Sequence, residues 1–192
     1  MKVRDSGMPP EDMWSGFFSP EEMLRRLGLS ETTGDVVDFG CGYGTFTLPA
    51  ARLVRGRVYA LDIEPEMIDA VQRKTKEQAL RNVEPVRRDF MAEGSGLPEA
   101  CVDAVLLFNI LHAEAPVALL REAHRILAPR GKALVTHWVT DRPTPRGPSS
   151  EIRPKPEQCA AWALEAGLTQ STGPLDLPPY HYGMVFLKGE QA

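Results

Sequence analysis

No apolar run in this chain is long enough to cross a bilayer; the longest, around Val102–Leu111, is broken by Asp103 and Asn109. Residues 1–20 lack the apolar core of a signal peptide, so no export signal is expected. Cysteine is scarce. Cys41, Cys101 and Cys159 are odd in number and share no metal-ligand spacing. This argues against a disulfide framework or a zinc cluster and predicts reduced thiols in a cytoplasmic protein with no metal site. A surplus of basic residues is missing too: 22 Lys and Arg stand against 26 Asp and Glu, a formal charge of −4. A protein gripping nucleic acid through its phosphates needs the opposite balance, so a nucleic-acid partner is disfavoured. There are no internal repeats and no low-complexity tracts. What remains is an ordinary globular composition, 43% hydrophobic and 25% charged, in 192 residues, enough for one domain with a substantial core.

Strand and helix signals alternate along the chain, which predicts an α/β fold, a doubly wound and mostly parallel sheet built from βαβ units. Strands are expected at 35–39, 57–61, 83–87, 103–109 and 132–138. The first and fourth are nearly continuous apolar runs, as in strands covered on both faces. Helices are expected at 45–54, from Glu64-Pro65 to a stop near Asn82, and from Pro116 to the Pro129/Gly131 pair. Pro at the first helical position costs nothing because that N–H has no partner anyway. Leu119, Leu120, Ala123, Ile126 and Leu127 keep the helical period. Residues 141–156 hold five prolines and read as a surface loop within the domain. A helix over 156–166, capped by Gly167, precedes strands at 168–172 and 184–188, with a proline-rich connection at 173–183 between them. Near the start, Pro20–Leu27 reads as an amphipathic helix with Ser19 as its N-cap and Gly28 closing it. The organisation is therefore a single domain, 1–192. Within it, 1–30 is an N-terminal helical extension, 31–140 a ligand-binding core and 141–192 a C-terminal part.

One segment carries the chemistry. In Asp38-Phe39-Gly40-Cys41-Gly42-Tyr43-Gly44 three glycines alternate directly after the first strand. Glycines at such positions let the backbone turn sharply and approach a ligand closely. A strand, a glycine-rich turn and a helix make the general plan of a nucleotide-type site. The spacing is not the G-x-G-x-x-G of dinucleotide binders, and Asp38 would repel a pyrophosphate at this place. A carboxylate there suits an amine-bearing or cationic ligand. The second strand, Val58–Leu61, leads into Asp62, placed to take ribose hydroxyls.

These residues resemble the first two motifs of class I S-adenosylmethionine-dependent methyltransferases. The resemblance implies a Rossmann-like sheet with an antiparallel C-terminal edge and S-adenosyl-L-methionine as methyl donor. Gly40, Cys41, Gly42 and Gly44 would pass under its methionine part, with Asp38 near the amino group and Asp62 on the ribose. Ile63 and Met67 would line the adenine. Asp89 and Phe90, after the third strand, would meet the adenine amine and ring, and Asn109, at the end of the fourth, would meet the methionine amino group. Plainer roles exist for each: a tight turn for the glycines, a helix cap for Asp62, core packing for Met67 and a loop ion pair for Asp89. The chain has Asn109-Ile110-Leu111-His112 where amide-type N-methyltransferases carry Asn/Asp-Pro-Pro-aromatic. The resemblance therefore leans to the small-molecule and quinone-biosynthesis branch, and away from methylation of DNA bases or glutamine.

If the acceptor needs a general base, His112, His137 and His181 are the candidates; His124 reads as a surface residue. Trp14, Phe17 and Phe18 form either a lid over the ligands or a helix pinned to the sheet. Two alternatives to small-molecule transfer stand: a donor-binding regulatory protein without transferase activity, and an RNA or protein methyltransferase.

Overall fold

The computed structural model describes residues 10–190. The first nine residues of the N-terminal extension, part of the segment read for an export signal, lie outside that range. β1 (Val36–Phe39), β2 (Val58–Asp62), β3 (Val83–Arg87), β4 (Val102–Phe108) and β5 (Leu127–Trp138) pair in parallel. β6 (Leu168–Leu177) and β7 (His181–Lys188) complete a seven-stranded sheet of order β3-β2-β1-β4-β5-β7-β6, with β7 antiparallel to both neighbours. The expected antiparallel C-terminal edge is present.

The sheet is covered on both faces, and the alternation of its central strands shows why. Val105 and Leu107 of β4 and Ala133 and Val135 of β5 enter one apolar cluster with α6 (Pro116–Ile126) and α7 (Pro156–Glu165). Ala104, Leu106 and Phe108 of β4 and Leu134 and Trp138 of β5 enter the other, with α2 (Pro20–Arg26) and α3 (Thr47–Leu53). Successive residues of a strand point to opposite faces, so a strand buried on both is apolar along most of its length. α4 (Pro65–Glu77) packs Ile68 and Val71 near Ala60 of β2. Order reverses between β1, which pairs with β2, and β4, and the crevice at the carboxyl ends there is where such sheets take ligands.

Three boundaries differ from the sequence reading. β5 begins at Leu127, immediately after α6, rather than at Lys132. Pro129, Arg130 (φ 66°) and Gly131 lie inside it as an irregularity, where pairing skips from Val102↔Leu127 to Ala104↔Lys132. The two last strands also run further than 168–172 and 184–188. β6 continues through Gly173 and Pro174 with shifts of register, and only residues 178–180 turn. Proline is tolerated there because β6 is the sheet edge, where a missing N–H breaks few ladder bonds. Ser19 occupies the N-cap position of α2 but its side chain makes no capping bond. Gly28 (φ 87°) and Gly167 (φ 85°) follow the helices they were expected to close. No helix among the described residues is long and apolar enough to cross a membrane.

Candidate functional site

A cavity of about 580 Å3 opens at the carboxyl ends of β1, β2 and β4. Its floor is the glycine-rich turn. Gly40, Gly42 and Gly44 have φ of 74°, 50° and 80°, a region that side chains with a Cβ rarely enter. The turn is tied to β2 by two backbone bonds, Gly40 N and Cys41 N donating to Leu61 O at 2.8 and 3.0 Å. Asp62 adds a third tie: its Oδ2 accepts from Gly42 N at 2.9 Å and its Oδ1 from Glu64 N at 3.0 Å. Each carboxylate oxygen has a lone pair left for a ligand hydroxyl.

Asp38 ends up buried in the same floor, accepting from Thr47 Oγ1 at 2.6 Å. Burial, opposed by the Thr47 bond and reinforced by the charge of Asp62, pushes its carboxyl up to about 7. Burial and the same two carboxylates hold the Cys41 thiol well above its ordinary range, so Cys41 is a neutral wall.

The other sequence candidates converge here. Ile63, Met67, Asp89, Phe90 and Asn109 all line the cavity with Asp38, Gly40, Cys41, Gly42 and Asp62. Gly44 is not among the lining residues; a Cβ there would meet Val71 and Leu48. Asp89 caps the short helix α5 (Phe90–Glu93), accepting from Ala92 N at 3.2 Å. Phe90 is held edge-on against Phe39, centroids 5.1 Å apart. Asn109 has φ 54°, left-handed and unusual for a residue with a side chain; such strain collects at functional sites.

The three histidines part company. His112 lines the cavity, and its Nδ1 lies 3.2 Å from His137 Nε2. His137 is fully buried behind it. His181, expected in a loop, is instead the first residue of β7, buried opposite Trp138 and 3.4 Å from Asn109 Nδ2 through Nε2. Burial lowers all three from the usual imidazole range, His181 to about 3, so they are neutral at pH 7. His112 Nε2, His137 Nδ1, His181 Nδ1 and Asn109 Oδ1 are buried without a hydrogen-bond partner in the protein. Among the described residues no group of three His, Cys, Asp or Glu could hold a metal ion.

Sequence reading missed several walls: Thr45, Phe46, Arg88, Phe108, Ile110 and Glu114 also border the cavity. Phe46 and Phe108 meet edge-to-face at 4.6 Å. Their only sequence signal was adjacency to motif residues. Trp14, on α1 (Glu11–Ser15), borders the cavity, while Phe17 and Phe18 are buried against Trp138, so the N-terminal aromatics divide between lid-like and pinned roles.

The sequence profile of the methyltransferase domain family matches residues 36–131, half of the chain. The chain belongs to that family. Two curated relatives are a demethylmenaquinone methyltransferase of Geobacillus, 27% identical over 65% of this chain and 52% of its own length, and a ribosomal protein L11 methyltransferase of Legionella pneumophila, 30% identical over 67% and 43%. The chain thus spans about half the length of the relatives it matches. The crystal structure of a SAM-dependent methyltransferase from Aquifex aeolicus shares the fold, with TM-score 0.81 at 24% identity over 93% of both chains.

The Aquifex protein is named for its dependence on S-adenosylmethionine, the donor that the sequence resemblance also implies for this chain. The cavity's chemistry fits it. A buried carboxyl stands ready for an ammonium, a second carboxylate keeps lone pairs for vicinal hydroxyls, and an apolar ring with an acid beside it suits an adenine.

The raised Asp38 gives a prediction with a definite sign. The folded methyltransferase holds this proton to higher pH than the unfolded chain does. Its contribution therefore favours folding at low pH and is lost as the pH rises from 3.8 to about 7. Over that window the change is about 4 kcal/mol. Asp38→Asn is expected to match the unsubstituted protein near pH 4 and to exceed it at pH 8, in urea unfolding without ligand. A variant no more stable at pH 8 would contradict the assignment.

Proposed function

We propose that this chain transfers a methyl group from S-adenosylmethionine to a small, largely apolar aromatic acceptor, as a single domain working in the cytoplasm. The observation that carries the reading is the convergence of Asp38, Asp62 and Asp89, each from a different strand end, on one cavity floored by the glycine-rich turn. In this reading Asp38 takes the donor's amino group, Asp62 its ribose hydroxyls, and Asp89 and Phe90 its adenine, with Ile63 and Met67 on the ring's other side. Asn109 and the backbone of Gly40–Gly44 complete the methionine end. When bound, the donor supplies an electrophilic methyl on a positively charged sulfur, so the protein's work is to orient two partners and exclude water.

The acceptor side is bounded by Trp14, Phe46 and Phe108 next to Asn109 and His112. Aromatic walls with a few polar groups suit a flat apolar molecule bearing one protic group. The Geobacillus relative, named for demethylmenaquinone, supports a small acceptor; the Legionella relative, named for a ribosomal protein, supports the second reading, a protein acceptor. His112 is the general base of the proposal. It is the one candidate that borders the cavity, it is neutral, and His137 holds its ring through Nδ1. His137 and His181 orient His112 and Asn109 and do not touch the acceptor.

The test is a labelled methyl donor with the pure protein and a cell extract split into small-molecule and protein fractions. Label is expected in the small molecules. Label in protein alone would favour the second reading, and donor binding without transfer to either would favour a regulatory protein. His112→Gln is expected to lower the transfer rate by about two orders of magnitude while leaving calorimetric affinity for S-adenosylhomocysteine unchanged.

A further inference from the structure

Lys74, near the C-terminal end of α4, takes no part in the site described above, yet it joins two pieces of it. Its Nζ donates to Tyr43 O of the glycine-rich turn at 2.8 Å and sits 5.7 Å from the centre of the Tyr43 ring. The same Nζ is paired with the Glu11 carboxylate on α1. Its side chain is only 14% exposed, whereas that of Glu11 is 43% exposed. Buried lysines are rare unless paired, because the ammonium must be compensated. Three residues along from Glu11, Trp14 borders the cavity and packs on Phe18, centroids 4.9 Å apart, and near Trp138 at 6.4 Å. One cation thus holds the turn on one side and the segment carrying the Trp14 wall on the other.

We propose that Lys74 is a positioning residue that couples closure of the α1 segment over the acceptor chamber to the shape of the donor cradle, with Glu11 as its reporter on the lid. This rests on the donor reading of the cavity. A segment of five helical residues cannot hold itself in place by its own backbone bonds, so its position depends on the aromatic cluster and this ion pair. Tyr43 lies between Gly42 and Gly44, and pinning its carbonyl limits the turn to the conformation in which Gly42 N reaches Asp62. Donor bound on an ordered turn therefore favours the closed segment, and a closed segment favours the donor; such coupling is reciprocal. The consequence for the reaction is order: the acceptor chamber gains its Trp14 wall as the donor arrives, which keeps water from the methyl group until both partners are present.

The test uses the full chain and S-adenosylhomocysteine. In the unsubstituted protein the ligand is expected to slow amide hydrogen exchange of the segment 10–18, which includes the Trp14 N–H bonded to Pro10 O at 3.0 Å. Glu11→Gln should weaken affinity about three- to fivefold and abolish that slowing. Lys74→Met should weaken it about tenfold, and Lys74→Arg should restore most of the loss. The double variant should bind like Lys74→Met alone, since Glu11 acts only through Lys74. Additive losses, or ligand-dependent slowing that survives in Glu11→Gln, would overturn the latch while leaving the donor site intact. Failure of the unsubstituted protein to bind the ligand would remove the donor reading and the latch together. Glu11 is half exposed, so its variant is expected to fold even if Lys74→Met does not.

Discussion

Asp62→Asn is expected to weaken S-adenosylhomocysteine binding by about a hundredfold or more, as read by calorimetry on the folded variant. The change is one atom. Both carboxylate oxygens of Asp62 already accept backbone N–H groups, Gly42 N at 2.9 Å and Glu64 N at 3.0 Å. An asparagine has one accepting oxygen and one NH2, so either orientation sets a donor against a donor. The losing amide is left buried without a partner, at about 1–3 kcal/mol, and the acceptor that would hold the ribose hydroxyls loses its charge. The Gly42 side matters more, because that bond shapes the cradle itself. A variant with near-normal affinity would mean that the ribose is held elsewhere, and Asp62 would revert to a cap of α4.

Gly56→Ala should have the largest effect on stability, a loss of more than about 3 kcal/mol in urea or thermal unfolding. A Cβ on Gly56 would stand 2.2 Å from the carbonyl carbon of Gly34, 2.4 Å from its oxygen and 2.5 Å from Asp35 N. All three are backbone atoms and none can swing aside. They lie where the chain enters β1, beside Val36 N donating to Arg57 O at 2.8 Å, and Asn82 Nδ2 donates to Gly56 O at 2.9 Å. Relief would require parting β1 from the β2 entry, which carries Asp38 and Asp62 with it. Gly189→Ala is the control, since its Cβ would have nothing within 4 Å and unchanged stability is expected. Equal stability of the two variants would show that the β1 entry has slack the packing does not suggest.

The turn that floors the cavity was legible before any fold was known, for a physical reason. A backbone that must turn with positive φ beside a ligand selects glycine, and a ribose selects a carboxylate at the end of the next strand. Both selections act on residue identity at short range, so Gly40, Gly42, Gly44 and Asp62 announce themselves. The other walls of the cavity work otherwise. Trp14, Phe46 and the pair Phe108 and His112 come from three separate stretches, and no local pattern brings them together. The histidines show the limit most directly. His181 stands among prolines and looks like loop, yet the β5–β7 register places it opposite Trp138 under the sheet's own cover. Pairing register is a tertiary fact, because it depends on where β7 lands beside β5. The proline-bearing length of β6 is tertiary in the same way, because whether proline breaks a strand depends on whether that strand is an edge.

Alternating apolar runs and helical periods were enough, as sequence, to specify a doubly wound sheet, and the glycine–aspartate spacing was enough to mark the floor of its cavity. Those features are local, set by backbone sterics and by the two-residue and 3.6-residue periods of strands and helices. Folding in three dimensions decided which histidine reaches the cavity, which aromatics wall it, and that a lysine on α4 holds both the turn and the N-terminal segment. Those contacts join residues as far apart as Glu11 and Lys74. No local pattern encodes such a contact, because its energy exists only once the sheet has brought the two ends together.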